Sequence, residues 1–201
     1  MKCFIDFDDT LVHRSRMTDD IYQAFGDLSA EDLRQHYANY RSEHPFTISG
    51  FCSEISRLGY DGDRLRKLFY EYAKRANSYV FPDAAEFVGR LKSNGYQCIL
   101  LSFDAEPELW QHPKIAASGL SPLFDEVHVI QHPKPDLLQS WNLTEPFVFV
   151  DDKQSEIDAM QAAFPDALCI KHEVGAPLLD HLDEIMRFER LLQPTASQRQ
   201  E

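Results

Sequence analysis

The sequence has 201 residues, of which 43% are hydrophobic and 26% are charged. These fractions are typical of a globular protein, and eight glycines and eleven prolines are too few for a low-complexity or collagen-like chain. The net charge of −13 argues against a protein that binds nucleic acid or docks on an anionic membrane, because both partners need clustered Lys and Arg.

No apolar run approaches the roughly 20 residues that a membrane span needs. Acidic residues such as Asp6 lie where a signal peptide would have an apolar stretch, so we expect a cytoplasmic protein. The four cysteines are far apart and form no Cys-x-x-Cys pair, which favours buried thiols over disulfides or a zinc site. His128 and His132 are four residues apart, but a strand-like segment would not bring them together on one metal ion.

Short apolar segments alternate with amphipathic segments along most of the chain. The predicted strands cover residues 3–7, 97–102, 126–130, 147–150 and 167–171. The predicted helices cover residues 83–94, 107–117, 135–141, 155–164 and 177–192. This alternation predicts an α/β fold, a Rossmann-like three-layer core with a parallel sheet between helices.

Residues 14–79 break the alternation, because they contain helical patterns and almost no strand-like segment. In one of these patterns Leu65, Leu68 and Phe69 recur at spacings of three and four, which places them on one helix face. An insert of this length is too long for a simple crossover between two strands. It therefore predicts a helical cap domain inserted after the first strand.

The predicted domain organisation follows from these segments. Residues 1–13 and 80–192 form the α/β core, and residues 14–79 form the cap. Residues 193–201 are polar, and we expect them to be a disordered tail.

Polar side chains stand at the ends of four predicted strands. In chain order they are Asp6, Asp8, Ser102, Lys134, Asp151 and Asp152. Ligands bind beyond the carboxyl ends of the strands in folds of this kind, so we expect these side chains to meet in one crevice. Asp6 and Asp8 alternate, so both can face the crevice from an extended segment while Phe7 packs inside.

The electrostatics of this crevice predict a metal ion. Up to four carboxylates within a few ångströms would raise one another's pKa unless a cation intervenes, and one lysine does not balance them. A hard divalent ion with oxygen ligands resolves the conflict, and Mg²⁺ suits two or three carboxylates that share the site with phosphate oxygens. The candidate metal ligands are Asp6, Asp8, Asp151 and Asp152.

The four motifs together resemble those of the haloacid dehalogenase-like (HAD) superfamily. Its Asp-x-Asp-x-Thr motif matches residues 6–10, and its strand-ending Ser or Thr matches Ser102. Its Lys, commonly followed by Pro, matches Lys134, and its acidic pair matches residues 151–152. The order and approximate spacing agree, and the insert lies where the family has its first type of cap.

The resemblance implies a phosphatase mechanism and a role for each matched residue. Asp6 attacks phosphorus and forms an aspartyl-phosphate, while Asp8 protonates the leaving oxygen and then activates water. Ser102 and Lys134 bind the phosphoryl oxygens. Mg²⁺ is held by Asp6, the main-chain carbonyl of Asp8 and Asp152, and Asp151 contacts the ion through water or supports Asp152.

One departure concerns the fourth motif. Many relatives have Gly-Asp followed four residues later by a second Asp, whereas this chain has Asp151-Asp152 followed four residues later by Glu156. The adjacent pair is itself a family variant, so the resemblance leaves the metal site intact. It leaves the separate roles of Asp151 and Glu156 open.

The expected function is Mg²⁺-dependent hydrolysis of a small phosphorylated metabolite, with no nucleic-acid or membrane partner. A phosphotransferase or phosphomutase function remains an alternative, because such an enzyme differs only in that a second substrate replaces water as the phosphate acceptor. Dehalogenation of a haloacid is less favoured, since such enzymes need no metal and typically lack the second Asp of the first motif. A response-regulator-like signalling domain fits poorly, and a silent binding relative would be expected to lose Asp6 or Asp8.

The charge distribution adds one expectation about the substrate. Residues 14–79 contain ten Lys and Arg against ten Asp and Glu, so the whole net charge of −13 lies outside the insert. Half of the 20 cations therefore belong to a neutral segment over an acidic core. We expect some of them to meet an anionic substrate.

Overall fold

A single parallel sheet organises the computed structural model, which describes residues 1–192. Its strands are β1 (Lys2–Ile5), β2 (Gln97–Phe103), β3 (Glu126–Ile130), β4 (Val148–Asp151) and β5 (Leu168–Lys171). They pair in the order β3-β2-β1-β4-β5, and each of these pairs is parallel. β1 therefore lies at the centre of the sheet. The predicted tail at 193–201 lies outside the described residues.

The helices follow the predicted order along the chain. The insert contributes α1 (Arg14–Phe25), α2 (Ala30–Glu43), α3 (Ile48–Arg57) and α4 (Gly62–Ala73). The remainder contributes α5 (Ala84–Ser93), α6 (Gln111–Ser118), α7 (Lys134–Ser140), α8 (Gln154–Ala163) and α9 (Leu182–Leu192). Helix follows strand in most of the chain after α5, as the alternation predicts.

Both faces of the sheet are buried, as its continuous apolar strands require. Phe4 of β1 packs in one apolar cluster with Leu138 of α7 and Met160 of α8. Its neighbour Ile5 belongs to a second cluster, which includes Phe87 of α5. Successive residues of β1 thus point to opposite faces, and the predicted three-layer Rossmann-like fold is confirmed.

The insert packs its helices around aromatic and aliphatic side chains. Leu65 and Phe69 of α4 are buried, as their spacing predicts, and Phe51 of α3 is fully buried beside them. The Phe69 ring also meets the ring of Trp110, which precedes α6, with centroids 5.3 Å apart. The insert therefore contacts the rest of the molecule close to the end of β2.

Two predicted helices begin later than their sequence patterns indicate. α6 begins at Gln111 rather than at residue 107, because Asp104 accepts a hydrogen bond from the Glu106 backbone N–H, which offers this segment a turn in place of a helix. α9 begins at Leu182, after a 3₁₀ turn at Leu178–His181. Both differences lie at helix ends, where local hydrogen bonds compete with the helical pattern.

Two further expectations concern the chain as a whole. No helix within residues 1–192 combines the length and the apolar character that crossing a membrane requires. Cys3, Cys52 and Cys98 are buried free thiols, as predicted, and Cys169 is a partly buried one.

Candidate active site

The register of the central strands brings the predicted residues to one edge of the sheet. Ile5 lies opposite Leu100 of β2 and Val150 of β4, so Asp6 and Asp151 follow aligned positions. The Asp6 backbone N–H donates to the Val150 carbonyl at 2.9 Å. The chain changes direction across the sheet between β1 and β4, and this switch point is where α/β folds bind their ligands.

Lys134 joins the carboxylates that follow β1 and β4. Its ammonium lies 2.5 Å from Asp6 Oδ1 and 2.5 Å from Asp151 Oδ2. All three side chains are almost completely buried. Burial alone would lower the pKa of Lys134, but the two carboxylates raise it above its ordinary value. A buried, positively charged lysine therefore stands beside Asp6, as its predicted role requires.

Three of the four predicted metal ligands form an acidic cluster. Asp6, Asp151 and Asp152 each offer a carboxylate oxygen, and these oxygens lie within 4.8 Å of one another. Burial raises the pKa of Asp6, Lys134 lowers it and Asp151 raises it, and the net result is a pKa of about 7. Burial and Asp151 likewise raise the pKa of Asp152 to about 6. Lys134 therefore leaves the cluster with excess negative charge.

This excess charge fits a divalent cation. Oδ1 of Asp152 is buried and has no hydrogen-bond partner within the described part of the chain, and such a group is costly to bury unless a ligand completes it. Hard carboxylate oxygens in this number are the ligand set that Mg²⁺ takes together with water and phosphate. Asp6 and Asp152 are thus the side chains that would hold the ion.

The two residues of the acidic pair, Asp151 and Asp152, have different hydrogen-bond partners. Asp151 Oδ2 is bound to Lys134, and Asp151 Oδ1 accepts the backbone N–H of Lys153 at 2.9 Å. Both oxygens of Asp151 are therefore engaged, whereas Asp152 keeps an oxygen without a partner. Glu156 lies in the first turn of α8 and lines the neighbouring cavity. Asp151 therefore contacts Lys134 and the Lys153 backbone, and neither contact is to Asp152. Whether Asp151 contacts the ion through water or supports Asp152 stays a prediction.

The carboxylate of Asp8 lies outside this cluster, contrary to the expectation of four carboxylates balanced by one lysine. Lys114 Nζ contacts both Asp8 oxygens, at 2.5 and 2.7 Å. Burial would raise the pKa of Asp8, but Lys114 and Arg14 hold it below its ordinary value. The acidic residues are thus paired with two different lysines: Asp6 and Asp151 with Lys134, and Asp8 with Lys114. The contribution of the Asp8 main-chain carbonyl to a metal site stays a prediction.

Ser102 is held by a glutamine that the sequence patterns did not single out. Its hydroxyl accepts a hydrogen bond from Gln111 Nε2 at 2.6 Å, and both residues are buried. Oε1 of Gln111 is itself buried without a partner within residues 1–192. Gln111 therefore orients the buried Ser102 hydroxyl.

Gln111 and Lys114 have a common origin in α6. They are three residues apart and occupy the buried face of that helix with Ile115 and Ser118. Side chains at this spacing are neighbours on a helix surface. The sequence did contain a signal for these two residues. Gln111 and Lys114 share a helix face with apolar residues, and an amide or ammonium on a buried face is rarely without a polar partner.

A cavity of about 380 Å³ opens above these residues. Asp8 and Gln111 form part of its floor, and the insert contributes Arg14, Arg41 and Phe46 to its wall. Its volume lies at the lower end of the range for small-molecule sites. The lining can therefore present the Asp8 carboxylate, the Gln111 amide and the Lys153 ammonium to a small ligand.

Asp6 follows the central parallel strand β1 and is fixed by the buried Lys134, the first residue of α7. This arrangement is that of an α/β hydrolase with an acidic first motif. The chain belongs to the haloacid dehalogenase-like hydrolase family, whose model matches residues 3–163. No curated protein matches the sequence significantly.

Solved structures of this family share the fold. The putative HAD-hydrolase YfnB of Bacillus subtilis, bound to magnesium, superposes with a TM-score of 0.68 at 15% identity, covering 92% of this chain and 98% of that one. An L-2-haloacid dehalogenase of Xanthobacter autotrophicus gives 0.63 at 16% identity, covering 94% and 87%. A putative beta-phosphoglucomutase of Thermotoga maritima gives 0.61 at 18% identity, covering 96% and 100%. At these identities the likeness concerns the fold alone.

Proposed function

We propose that the protein is a Mg²⁺-dependent phosphohydrolase that acts on a small phosphorylated metabolite through an aspartyl-phosphate on Asp6. The observation that carries the proposal is the pair of carboxylates two residues apart, each with its own buried lysine. Asp6 is bound to Lys134, and Asp8 is bound to Lys114. One carboxylate is available for attack, and the other is available for proton transfer.

The first step forms a bond between an Asp6 oxygen and phosphorus and breaks the bond to the leaving oxygen. Asp8 rests as a carboxylate paired with Lys114. It therefore acts here with the proton that it took from water in the preceding turnover, and it gives that proton to the leaving oxygen, which departs as an alcohol. The Lys134 ammonium and the Ser102 hydroxyl stabilise the phosphoryl oxygens as charge builds on them. Thr10 donates toward the other Asp6 oxygen at 3.4 Å and restrains the nucleophile.

The second step hydrolyses the aspartyl-phosphate and restores the enzyme. The Asp8 carboxylate takes a proton from water, whose oxygen attacks phosphorus and releases Asp6 and inorganic phosphate. Lys114 stabilises the carboxylate form of Asp8, which is the form that this step uses. The proton that Asp8 gains from water is the one that it gives in the next turnover.

Mg²⁺, held by the Asp6 and Asp152 side chains, would offset the repulsion between an anionic nucleophile and an anionic phosphate. The raised pKa values of Asp6 and Asp152 are consistent with this assignment, because burial, their largest cause, and the neighbouring Asp151 both make an ionised carboxylate costly unless a cation joins it. Asp151 supports the site by fixing Lys134 and the Lys153 backbone.

Asp8 also favours phosphate-ester hydrolysis over dehalogenation. A halide leaves as a stable anion and needs no proton, whereas an alkoxide leaving group does. Asp8 lines the cavity and can supply this proton. It therefore serves phosphate-ester hydrolysis and has no use in dehalogenation.

The proposal is tested by p-nitrophenyl phosphate hydrolysis with Mg²⁺ and with excess chelator. We expect turnover to require the metal, and we expect Asp6→Asn and Asp8→Asn to lose at least ~100-fold in kcat. Asp158→Asn, an exposed carboxylate on α8, is the matched control and should retain wild-type rates. Full activity in chelator, or in Asp6→Asn, would contradict the mechanism.

Two further assays distinguish the proposed phosphatase from a dehalogenase and from a phosphotransferase. Halide release from 2-chloropropionate should be undetectable. Phosphate transfer to an added sugar phosphate, in place of release as inorganic phosphate, would identify a phosphotransferase.

A further inference from the structure

Two arginines of the insert converge on one tyrosine. Arg14 begins α1, while Tyr37 and Arg41 lie one turn apart on α2. Arg14 Nη2 donates to the Tyr37 hydroxyl at 2.7 Å, and Arg41 Nη1 donates to the same oxygen at 3.3 Å. Their guanidinium carbons lie 5.8 and 6.0 Å from the centre of the Tyr37 ring. The two cations are therefore held within a few ångströms of each other.

No carboxylate forms a salt bridge with either arginine within residues 1–192. Other arginines of the insert do form such pairs: Arg34 with Asp19 and Glu31, Arg57 with Glu54, and Arg64 with Asp27. Burial acts to lower the pKa of Arg14, but Tyr37, Asp8 and Asp9 together hold it above its ordinary value. The neutral Tyr37 hydroxyl thus accepts hydrogen bonds from two guanidinium groups, and the positive charges of these groups repel each other.

The electrostatics of Tyr37 report this excess of positive charge. Burial acts to raise its pKa, but Arg14 and Arg41 together hold it below its ordinary value. An arrangement of two like charges around one neutral acceptor gains stability when an anion joins them.

The pair faces the proposed chemistry. Arg14 and Arg41 line the same cavity as Asp8, and Phe46 and Trp110 contribute apolar parts of its lining. Guanidinium groups bind carboxylate and phosphate oxygens through paired N–H donors. Arg14 lies on the side of Asp8, and Arg41 is the more exposed of the two.

We propose that Arg14 and Arg41, held on the Tyr37 hydroxyl, bind a second anionic group of the substrate, so that the enzyme prefers phosphate esters carrying an additional carboxylate or phosphate. This inference rests on the proposed phosphatase function and narrows its substrate class. The cavity volume of about 380 Å³ limits the substrate to a small metabolite that carries both anionic groups.

The test compares kcat/KM for substrate pairs that differ in one anionic group. 3-Phosphoglycerate is paired with glycerol 3-phosphate for a carboxylate, and glucose 1,6-bisphosphate is paired with glucose 1-phosphate for a second phosphate. We expect the more anionic member of at least one pair to be preferred roughly tenfold to hundredfold, the factor for a charge-assisted contact. The pair that shows the preference identifies the second group.

Variants assign the preference to the arginine pair. Arg41→Gln should reduce the preference to about one, mainly through a higher KM for the more anionic member, and Arg41→Lys should restore part of it. Tyr37→Phe removes the shared acceptor and should weaken the preference without removing a charge. Arg34→Gln lies on the same helix but outside the cavity wall, and it should behave as wild type.

The outcomes separate this inference from the function on which it rests. A wild-type protein without p-nitrophenyl phosphatase activity would overturn both. An active enzyme with equal kcat/KM within both pairs would overturn only the second-anion site. A preference that survives unchanged in Arg41→Gln would also overturn it, and circular dichroism spectra matching the wild type would show that the variant is folded.

Discussion

Glu106, in the loop after β2, binds the N-terminus of an insert helix through Ser49. Its carboxylate accepts the Ser49 backbone N–H at 2.9 Å and the Ser49 hydroxyl. Ser49 is in the first turn of α3, where backbone N–H groups lack intrahelical partners and the helix dipole favours an anion. This contact joins the insert to the loop that follows Ser102.

Replacing Glu106 should loosen this junction. Glu106→Gln keeps an acceptor but removes the negative charge, so we expect a loss of about 1 kcal/mol in the free energy of unfolding. Urea unfolding measures the loss, and amide hydrogen exchange in the first turn of α3 should accelerate with it. Glu108→Gln, an exposed neighbour that pairs with His112, is the control. Equal effects of both substitutions would show that the Ser49 contact contributes nothing.

Lys114 should be as important to turnover as the residues of the four motifs. Lys114→Met leaves Asp8 without the ammonium that contacts both of its oxygens, and we expect kcat on p-nitrophenyl phosphate to fall by roughly 100-fold. Lys92→Met removes a lysine that pairs with Asp125 away from the cavity and should leave kcat unchanged.

A double variant shows whether Lys114 acts through Asp8. The combination of Lys114→Met with Asp8→Asn should be no slower than Asp8→Asn alone, because the two residues form one unit. Multiplicative losses in the double variant would mean that Lys114 has an independent function.

The acidic cluster should destabilise the protein until a cation binds. The pKa of Asp6 is raised to about 7, so the folded state prefers its protonated form, and stability is lost as pH rises from about 4 to 7. In chelator at pH 7.5, Asp6→Asn should therefore be more stable than the wild type by at least ~1 kcal/mol. Urea unfolding at pH 5 and 7.5 measures the difference, which should shrink at the lower pH.

Mg²⁺ should reverse this difference. Because an ion that binds only the folded state stabilises it, Mg²⁺ should raise the melting temperature of the wild type and raise that of Asp6→Asn and Asp152→Asn much less. Asp158→Asn should respond as the wild type does. An unchanged wild-type melting temperature at millimolar Mg²⁺ would count against a metal site in this cluster.

A buried histidine pair predicts a separate dependence on pH. Burial and the neighbouring His181, 3.1 Å away, lower the pKa of His172 to about 4. The folded state therefore prefers neutral His172, so its contribution is present above pH 6.5 and is lost as pH falls toward 4. We expect the wild type to lose about 2 kcal/mol between pH 7 and 5 from this residue.

Urea unfolding at the two pH values tests this loss in His172→Gln. The variant should be less stable at pH 7 but should lose about 2 kcal/mol less than the wild type on going to pH 5. His132→Gln, an exposed histidine, serves as the matched control. Equal pH dependence of His172→Gln and the wild type would show that His172 is protonated equally in the folded and unfolded states.

Local sequence patterns predict where the strands end and which polar residues stand at those ends. Continuous apolar runs mark buried parallel strands, and the parallel arrangement sends their carboxyl ends to one edge. These patterns place Asp6, Ser102, Lys134 and Asp151 at a common site. In the structure Ser102 and Asp151 lie at the carboxyl ends of β2 and β4, Asp6 follows β1, and Lys134 begins the helix after β3. The family and fold follow from the same patterns.

Only the tertiary structure determined which charges pair. Lys114 meets Asp8 across 106 positions of the sequence, and Arg14 meets Tyr37 across 23. Helical periodicity states which face a side chain occupies, but the partner on that face depends on how α6 packs beside the sheet and how α1 packs against α2. The sequence by itself determined the acidic residues of the site, and packing decided which of them keeps a free oxygen for a cation.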